Sequence, residues 1–236
     1  MAARKEPTRS YDPAQTRASL VQAALELFSE RGFRATSMLD VADRAGVTKG
    51  AFYHHFSSKD DVLEFIHDEF ITLALRLQTE ALETYDDPVE LMQHLVYDLV
   101  MVTLRYQPHV AVFFREVHEL TGDRREAIVA KRQQALDAYR DVIERGIKDG
   151  AFDAALDPDL AARGIVGMAA WSYQWYRPDS PLPAEAVAQQ YMRMAMASLQ
   201  PVELPAATEL SFGEHKHMEG HRPLSAFPER ASARAS

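Results

Sequence analysis

One short stretch of the chain carries four different hydrogen-bonding side chains. Thr48 offers a hydroxyl, Lys49 an ammonium, Tyr53 a phenol and His54 an imidazole. A lysine reaches guanine O6 or N7 or a phosphate, and a threonine pairs its hydroxyl with a base edge or phosphate and its methyl with thymine. Gly50 has no side chain, so the backbone there can approach a groove closely. These residue types predict contacts with duplex nucleic acid.

Two short helices must position these side chains. Ser37 is a suitable N-cap for the first helix, and Asp40 stands three residues later, as in a capping box. Gly46 falls where a left-handed C-cap would end that helix. Thr48 then caps a second helix that runs over 49–55. A short helix, a glycine turn and a second short helix are typical of the helix-turn-helix motif for the DNA major groove.

Further contacts with phosphates are predicted around this motif. Thr36 and Ser37 stand at the start of the first short helix, and Lys59 lies in the first turn of a long following helix. A helix N-terminus presents backbone N–H groups and the positive end of its dipole to a phosphate. Ser37 and Thr48 also have a purely structural role as caps, and Tyr53 has an alternative place in the core.

The segments AALELFSERGF and TSMLDVADRAGVTKGAFYHHFSSKDDVL, within residues 16–60, resemble the DNA-binding domain of the TetR family of bacterial transcriptional regulators. The resemblance implies that Tyr53 and His54 clamp the DNA backbone. It also implies a homodimeric repressor on a palindromic operator, with a four-helix interface formed by segments 157–176 and 183–199 of each subunit. Apolar candidates for that interface are Ile165, Val166, Met168, Ala169, Met192, Met194, Ala195 and Leu199. The alternative is that these residues only close the subunit core.

Composition limits the other possibilities. Hydrophobic residues make up 47% of the 236 residues and no cysteine is present, which excludes disulfides and thiolate metal sites and agrees with a cytoplasmic, nucleoid-associated protein. The net charge of −9 is uneven, because residues 1–60 hold nine basic and seven acidic side chains. The basic end would meet DNA. The sequence contains no Gly-rich phosphate loop, G-x-S-x-G or metal-ligand spacing, so we predict no enzyme, no cofactor and no metal.

Prolines at helix starts and glycines at helix ends predict an all-α fold of about nine helices, without strand alternation. We expect a flexible basic arm over 1–12, a helix-turn-helix domain over 13–57, a ligand-binding and dimerisation domain over 58–200, and a disordered tail over 201–236. The arm either has no role or contacts phosphates or the minor groove. Histidines and glutamates of the tail are interpreted as a solvated polar run rather than a metal cluster; they are His215, His217, His221, Glu214 and Glu219.

The resemblance also implies an apolar effector pocket among the central helices. The segment around WSYQWYRPDSPL is similar to family regulators of lipid, sterol and aromatic-acid catabolism, whose effectors are acyl-CoA thioesters. Arg163 is the candidate cation for the phosphates, with Arg115, Arg132 and Arg140 as weaker ones. The candidate ligand contacts are Met101, Phe113, Phe114, Tyr139, Arg163, Met168, Trp171 and Trp175. Plain core packing, a surface arginine beside an interface tryptophan, and a free drug or fatty acid effector in efflux or stress control remain the alternatives.

Overall fold

The computed structural model describes residues 12–200. Within that range the chain forms nine α-helices, two short 3-10 turns and no strand, so the predicted all-α fold is confirmed. The α-helices are α1 (Pro13–Arg31), α2 (Met38–Ala45), α3 (Lys49–His55), α4 (Lys59–Thr84), α5 (Pro88–Arg105), α6 (Gln107–Arg115), α7 (Gly122–Lys148), α8 (Pro158–Trp171) and α9 (Ala184–Ser198). The 3-10 turns are Val117–Glu119 and Ser172–Gln174. None of these helices is long and apolar enough to cross a membrane.

The first three helices form around the local signals in the sequence. Ser37 caps α2, accepting from the backbone N–H of Asp40 at 3.1 Å, while the Asp40 carboxylate accepts from the Ser37 N–H at 2.8 Å. Gly46 ends α2 in the left-handed region, with φ of 69°. Thr48 caps α3 by accepting from the Ala51 N–H at 3.2 Å. Large buried side chains of α1 and α3, including Phe28 and Phe52, form the core of this bundle.

Helices α4 to α9 form the larger part of the molecule. Asp87 and Asp157 cap α5 and α8, and a proline follows each cap at the first helical position. Helix α5 is central, since it packs against α4, α7, α8 and α9. Its buried residues Leu91, Met92 and Leu95 lie in one core cluster with residues of α7, α8 and α9.

Helix α7 ends where a phenylalanine occupies the space beside a glycine. A β carbon at Gly146 would lie 2.1 Å from Phe152 Cδ2, so the close approach of this ring requires glycine. The N–H groups of Ala151 and Phe152 both donate to the Gly146 carbonyl, at 2.8 and 3.1 Å. This turn directs the chain towards α8 and closes one end of the core.

Ion pairs fasten α4 to α7 along their length. Arg124 on α7 contacts Asp61 at 2.5 Å and Glu64 at 3.2 Å, and two turns further on Lys131 contacts Asp68. Asp61 is also the capping-box partner of Ser58 at the start of α4. The first turn of α4 is therefore held by α7 as well as by its own cap. The predicted functions of the arm and of the tail histidines concern residues outside the described range, apart from Asp12, which caps α1.

Candidate nucleic-acid interface and effector cavity

Helix α3 has one buried and one exposed side. Phe52 is buried, and Phe56, which follows the helix, is buried as well. Thr48, Lys49, Gly50, Tyr53 and His54, all predicted to contact DNA, are exposed, and the Lys49 ammonium lies 5.8 Å from the centroid of the Tyr53 ring. The structure thus brings five of the predicted contacts together on one surface.

Gly50 has no structural requirement for glycine within the subunit. A β carbon built there would meet only the Thr48 hydroxyl, at the ordinary contact distance of 3.8 Å. The backbone of this helix position is consequently accessible from outside.

The remaining predicted DNA contacts have partners inside the protein. Thr36 is only 2% exposed, and its hydroxyl donates to the Gly32 carbonyl at 2.9 Å. The Lys59 ammonium donates to the Phe33 carbonyl at 2.7 Å and lies 4.1 Å from the centroid of that ring. Ser37 is exposed, but its hydroxyl is bonded to Asp40. Thr36 and Lys59 stabilise the joint between α1 and α4 in this structure, and Thr36 has no surface for a phosphate.

A cavity of about 410 Å³ lies between α4, α5, α6, α7 and α8. Its walls are largely apolar, as in small-molecule sites generally. Four of the eight predicted ligand contacts line it: Phe113, Phe114, Tyr139 and Arg163. The other four lie elsewhere, because the helix faces that carry them turn away from the cavity. Met101 and Met168 pack against two other core clusters, and Trp171 and Trp175 are exposed.

The arginines at the cavity differ in their partners. Arg163 is exposed and forms a two-point ion pair with Asp159 on its own helix, at 2.7 and 3.1 Å. Arg132 is half-buried, and no ion pair of its guanidinium is found within residues 12–200. Burial lowers the pKa of Arg132. The weaker of the two predicted cations is therefore the one that lies without a counter-ion against the apolar wall.

Both parts of the molecule match known families. Residues 20–66 match the model for bacterial regulatory proteins of the tetR family, and residues 85–199 match the model for a tetracyclin repressor-like C-terminal domain. The HTH-type transcriptional repressor KstR2 of Mycobacterium tuberculosis is 31% identical over 184 residues, which are 78% of this chain and 92% of that protein. The chain belongs to the TetR family of bacterial transcriptional regulators. Membership makes it a DNA-binding protein of a family of regulators rather than of enzymes.

Solved structures support the assignment of this TetR-family protein. The ketosteroid transcriptional regulator KstR2 of Mycobacterium tuberculosis superposes with a TM-score of 0.75 and 29% identity, covering 84% of this chain and all of that one. AibR, solved in complex with isovaleryl coenzyme A and operator DNA, superposes with a TM-score of 0.68 and 25% identity, covering 76% of this chain and 97% of its own.

In this TetR-family chain, several polar residues at the cavity were not predicted. Gln78, Asp98, Arg125 and Gln133 all line it. A signal for Gln78 was available, because it follows Phe70 by eight residues and so continues the apolar face of α4. The other three alternate with apolar residues on faces whose orientation only the packing of the helices decides.

The outer face of α8 is apolar and uncovered within the subunit. Leu160 is 68% exposed and Trp171 is 63% exposed, and no atom lies within 4 Å of a β carbon built at Gly164 or Gly167 between them. These four positions share one helical face. Of the predicted dimer residues, Met194 is exposed. Buried inside the subunit instead are Ile165, Ala169, Ala195 and Leu199.

One group of side chains in the described range has the spacing of a cation site. Glu116, His118 and Glu119 could each offer a ligand atom within 4.8 Å of the others. The Glu119 carboxylate is already paired with Arg34 at 2.7 Å and with His118 at 3.0 Å. The absence of a metal stays a prediction.

Proposed function

We propose that this protein is a homodimeric transcriptional repressor that binds a palindromic operator and is released by a hydrophobic, anionic effector of the acyl-CoA type. The observation that supports the DNA part is the exposed side of α3. Thr48, Lys49, Tyr53 and His54 would contact bases and phosphates, and Gly50 would permit close approach to the groove. Ser37 would add a phosphate contact from the start of α2.

One recognition helix reads only a few base pairs, so tight specific binding requires two. In a dimer the two α3 helices would lie about 34–36 Å apart, or a helical multiple of that, on an operator with matching symmetry. The outward face of α8, from Leu160 to Trp171, is the surface we assign to the dimer, together with Met194 of α9. An exposed apolar stripe of this kind favours burial against a second copy.

The effector proposal rests on Arg132. A guanidinium held without a counter-ion against aromatic rings in an apolar cavity is stabilised by an anionic ligand. Arg163 and Arg125, at the same cavity, would supply further positive charge for phosphates. The complex of AibR with isovaleryl coenzyme A gives a precedent in a related fold. A free drug or fatty acid, as in efflux control, is the second candidate and requires no phosphate-binding cation.

Release would be a shift between two conformations with different spacing of the α3 helices. Helix α7 lines the cavity with Arg132 and Tyr139 and is bound to the first turn of α4 through Arg124 and Asp61. A ligand that displaces α7 would therefore move α4, which follows the recognition helix directly. A coupling of about 1–3 kcal/mol would change DNA affinity about 5- to 150-fold.

The experiment is a titration of labelled DNA from upstream of the protein's own coding region, with Lys49→Ala and Lys148→Ala compared. The two variants change the net charge equally, but Lys148 lies at the far end of α7. We expect Lys49→Ala to weaken binding and to flatten the slope of log K against log salt by about one, while Lys148→Ala keeps both. Equal behaviour of the two variants contradicts the assigned interface.

The effector class is tested in the same assay with dodecanoyl-CoA, dodecanoic acid and CoA. Release by the thioester alone supports the first candidate. Release by the free acid at equal or lower concentration supports the second.

A further inference from the structure

The closed end of the cavity is polar, although the walls around it are apolar. Gln78, Asp98 and Tyr139 meet there from α4, α5 and α7. Gln78 is only 8% exposed; its amide nitrogen donates to the Ala135 carbonyl at 2.9 Å, and its Oε1 has no hydrogen-bond partner within the described residues. The Tyr139 hydroxyl donates to the Leu95 carbonyl at 3.1 Å.

The three groups share one electrostatic environment. Burial raises the pKa of the Tyr139 phenol, the nearby Gln78 amide lowers it, and the charge of Asp98 raises it further. Burial also raises the pKa of Asp98, which is half-buried. The side chains of α4 and α5 therefore face the same point as the tyrosine of α7.

This end of the cavity has too few donors. The Gln78 Oε1 and the Asp98 carboxylate both accept hydrogen bonds, while the single Tyr139 proton is directed at Leu95. A buried acceptor left without a donor costs about 1–3 kcal/mol. A ligand that brings a donor to this point removes that penalty, whereas a ligand that brings only acceptors adds to it.

The cationic part of the cavity lies at a distance from this end. Arg132 and Tyr139 are seven residues apart on α7, about 10 Å along the helix axis. The lining residues Phe114, Val129 and Arg163 are exposed, and so mark the mouth. An effector with its anionic group at Arg132 would thus extend its apolar body towards Gln78.

We propose that the closed end of the cavity selects an effector that carries a hydroxyl group at the end opposite its anionic group. The hydroxyl donates its proton to Gln78 Oε1 or to the Asp98 carboxylate. A carboxylate at the same place brings a second negative charge beside Asp98 and no donor, so it is rejected. This inference rests on the proposed effector class and adds the chemistry of the far end.

The test compares the CoA thioesters of decanoic and dodecanoic acid with their ω-hydroxy and ω-carboxy counterparts, by calorimetry on the full chain. We expect the ω-hydroxy thioester of the better-fitting length to bind about five- to tenfold more tightly than the unsubstituted one, and the ω-carboxy thioester most weakly. One net hydrogen bond accounts for a preference of that size. Equal affinities, as expected if a bound water already satisfies Gln78, overturn the proposal.

Two variants test the assignment to Gln78. Gln78→Met keeps the side-chain length and removes the acceptor, so the hydroxyl preference should fall to about one while the unsubstituted thioester binds as before. Gln134→Met makes the same change on the exposed face of α7, outside the cavity lining, and should keep the preference. If Gln78→Met does not fold, the wild-type series decides alone. Binding of no thioester overturns the proposed effector class, whereas binding without preference overturns only this inference.

Discussion

The guanidinium of Arg132 lies over the ring of Phe113, with 4.6 Å between Cζ and the ring centroid. Phe114 is the second ring beside it, at 5.2 Å. A cation–π contact offsets part of the cost of removing this charge from water, typically by about 0.5–2 kcal/mol. The remaining cost is available to an anionic ligand, which makes Arg132 the determinant of effector charge in our proposal.

The first prediction compares Arg132→Met with Arg163→Met. We expect Arg132→Met to weaken binding of dodecanoyl-CoA about ten- to a hundredfold, because a hydrogen bond to a charged group contributes about 1.5–3 kcal/mol. Arg163→Met should have a smaller effect, since Asp159 already neutralises that side chain. Calorimetry measures both. A larger loss for Arg163→Met would place the anion at the mouth of the cavity.

The second prediction concerns communication between the cavity and the DNA-binding helices. Hydrogen bonds from Ser57, Arg124 and Ser58 hold the pKa of Asp61 well below its usual range, although burial acts in the opposite direction. Arg124→Gln removes the link from α7 but leaves the serine cap. We expect nearly normal DNA affinity and effector affinity, with at least a threefold fall in the factor by which effector weakens DNA binding.

The control for this coupling is Arg76→Gln, which breaks an exposed ion pair with Glu80 inside α4 and no contact with α7. Its coupling factor should equal that of the unchanged protein. An unchanged factor in Arg124→Gln would show that the signal travels by another contact, such as the pair of Arg34 and Glu119.

The recognition unit was predictable because its signals are local. The capping box of Ser37 and Asp40, the left-handed Gly46 and the cap Thr48 each depend on residues within one turn, and all appear as predicted. The same reasoning could not show that Thr36, one residue before a cap, turns its hydroxyl inward to Gly32.

The cavity was less predictable because its lining depends on how five helices pack. Phe113 and Tyr139 line it, but Met168 and Trp171, on a helix of similar composition, lie outside the lining. Spacing groups residues onto one helical face but does not reveal which neighbour that face meets. Trp171 and Arg163 are eight residues apart, yet one is on the uncovered surface and the other at the cavity mouth.

The third prediction is a dependence of stability on pH that arises from His67. This side chain is fully buried, and its Nδ1 lies 2.9 Å from the Leu63 carbonyl while Nε2 has no partner within the described residues. Burial lowers the pKa of His67 below 6.5, and the nearby charge of Arg132 acts in the same direction. The native state therefore binds this proton less readily than the unfolded chain.

The free energy of unfolding should be constant in this respect above pH of about 6.5 and fall below it, with a slope of up to about 1.4 kcal/mol per pH unit. Urea unfolding of the unchanged protein and of His67→Leu at several pH values measures this. The variant should have a smaller slope, with a remainder from His109, whose pKa burial also lowers. Identical slopes would exclude His67 as the source.

The last prediction tests the uncovered face of α8. Trp171→Glu places a charge in the stripe that we assign to the dimer, and Leu82→Glu makes a similar change at an exposed leucine of α4. Because a buried, unpaired carboxylate at an interface is strongly unfavourable, Trp171→Glu should sediment as a monomer at micromolar concentration and lose operator binding. Leu82→Glu should remain a dimer with normal DNA affinity. Since Trp171 is far exposed in the subunit, the helical content should stay unchanged, and a dimeric Trp171→Glu protein would mean that another face joins the two copies.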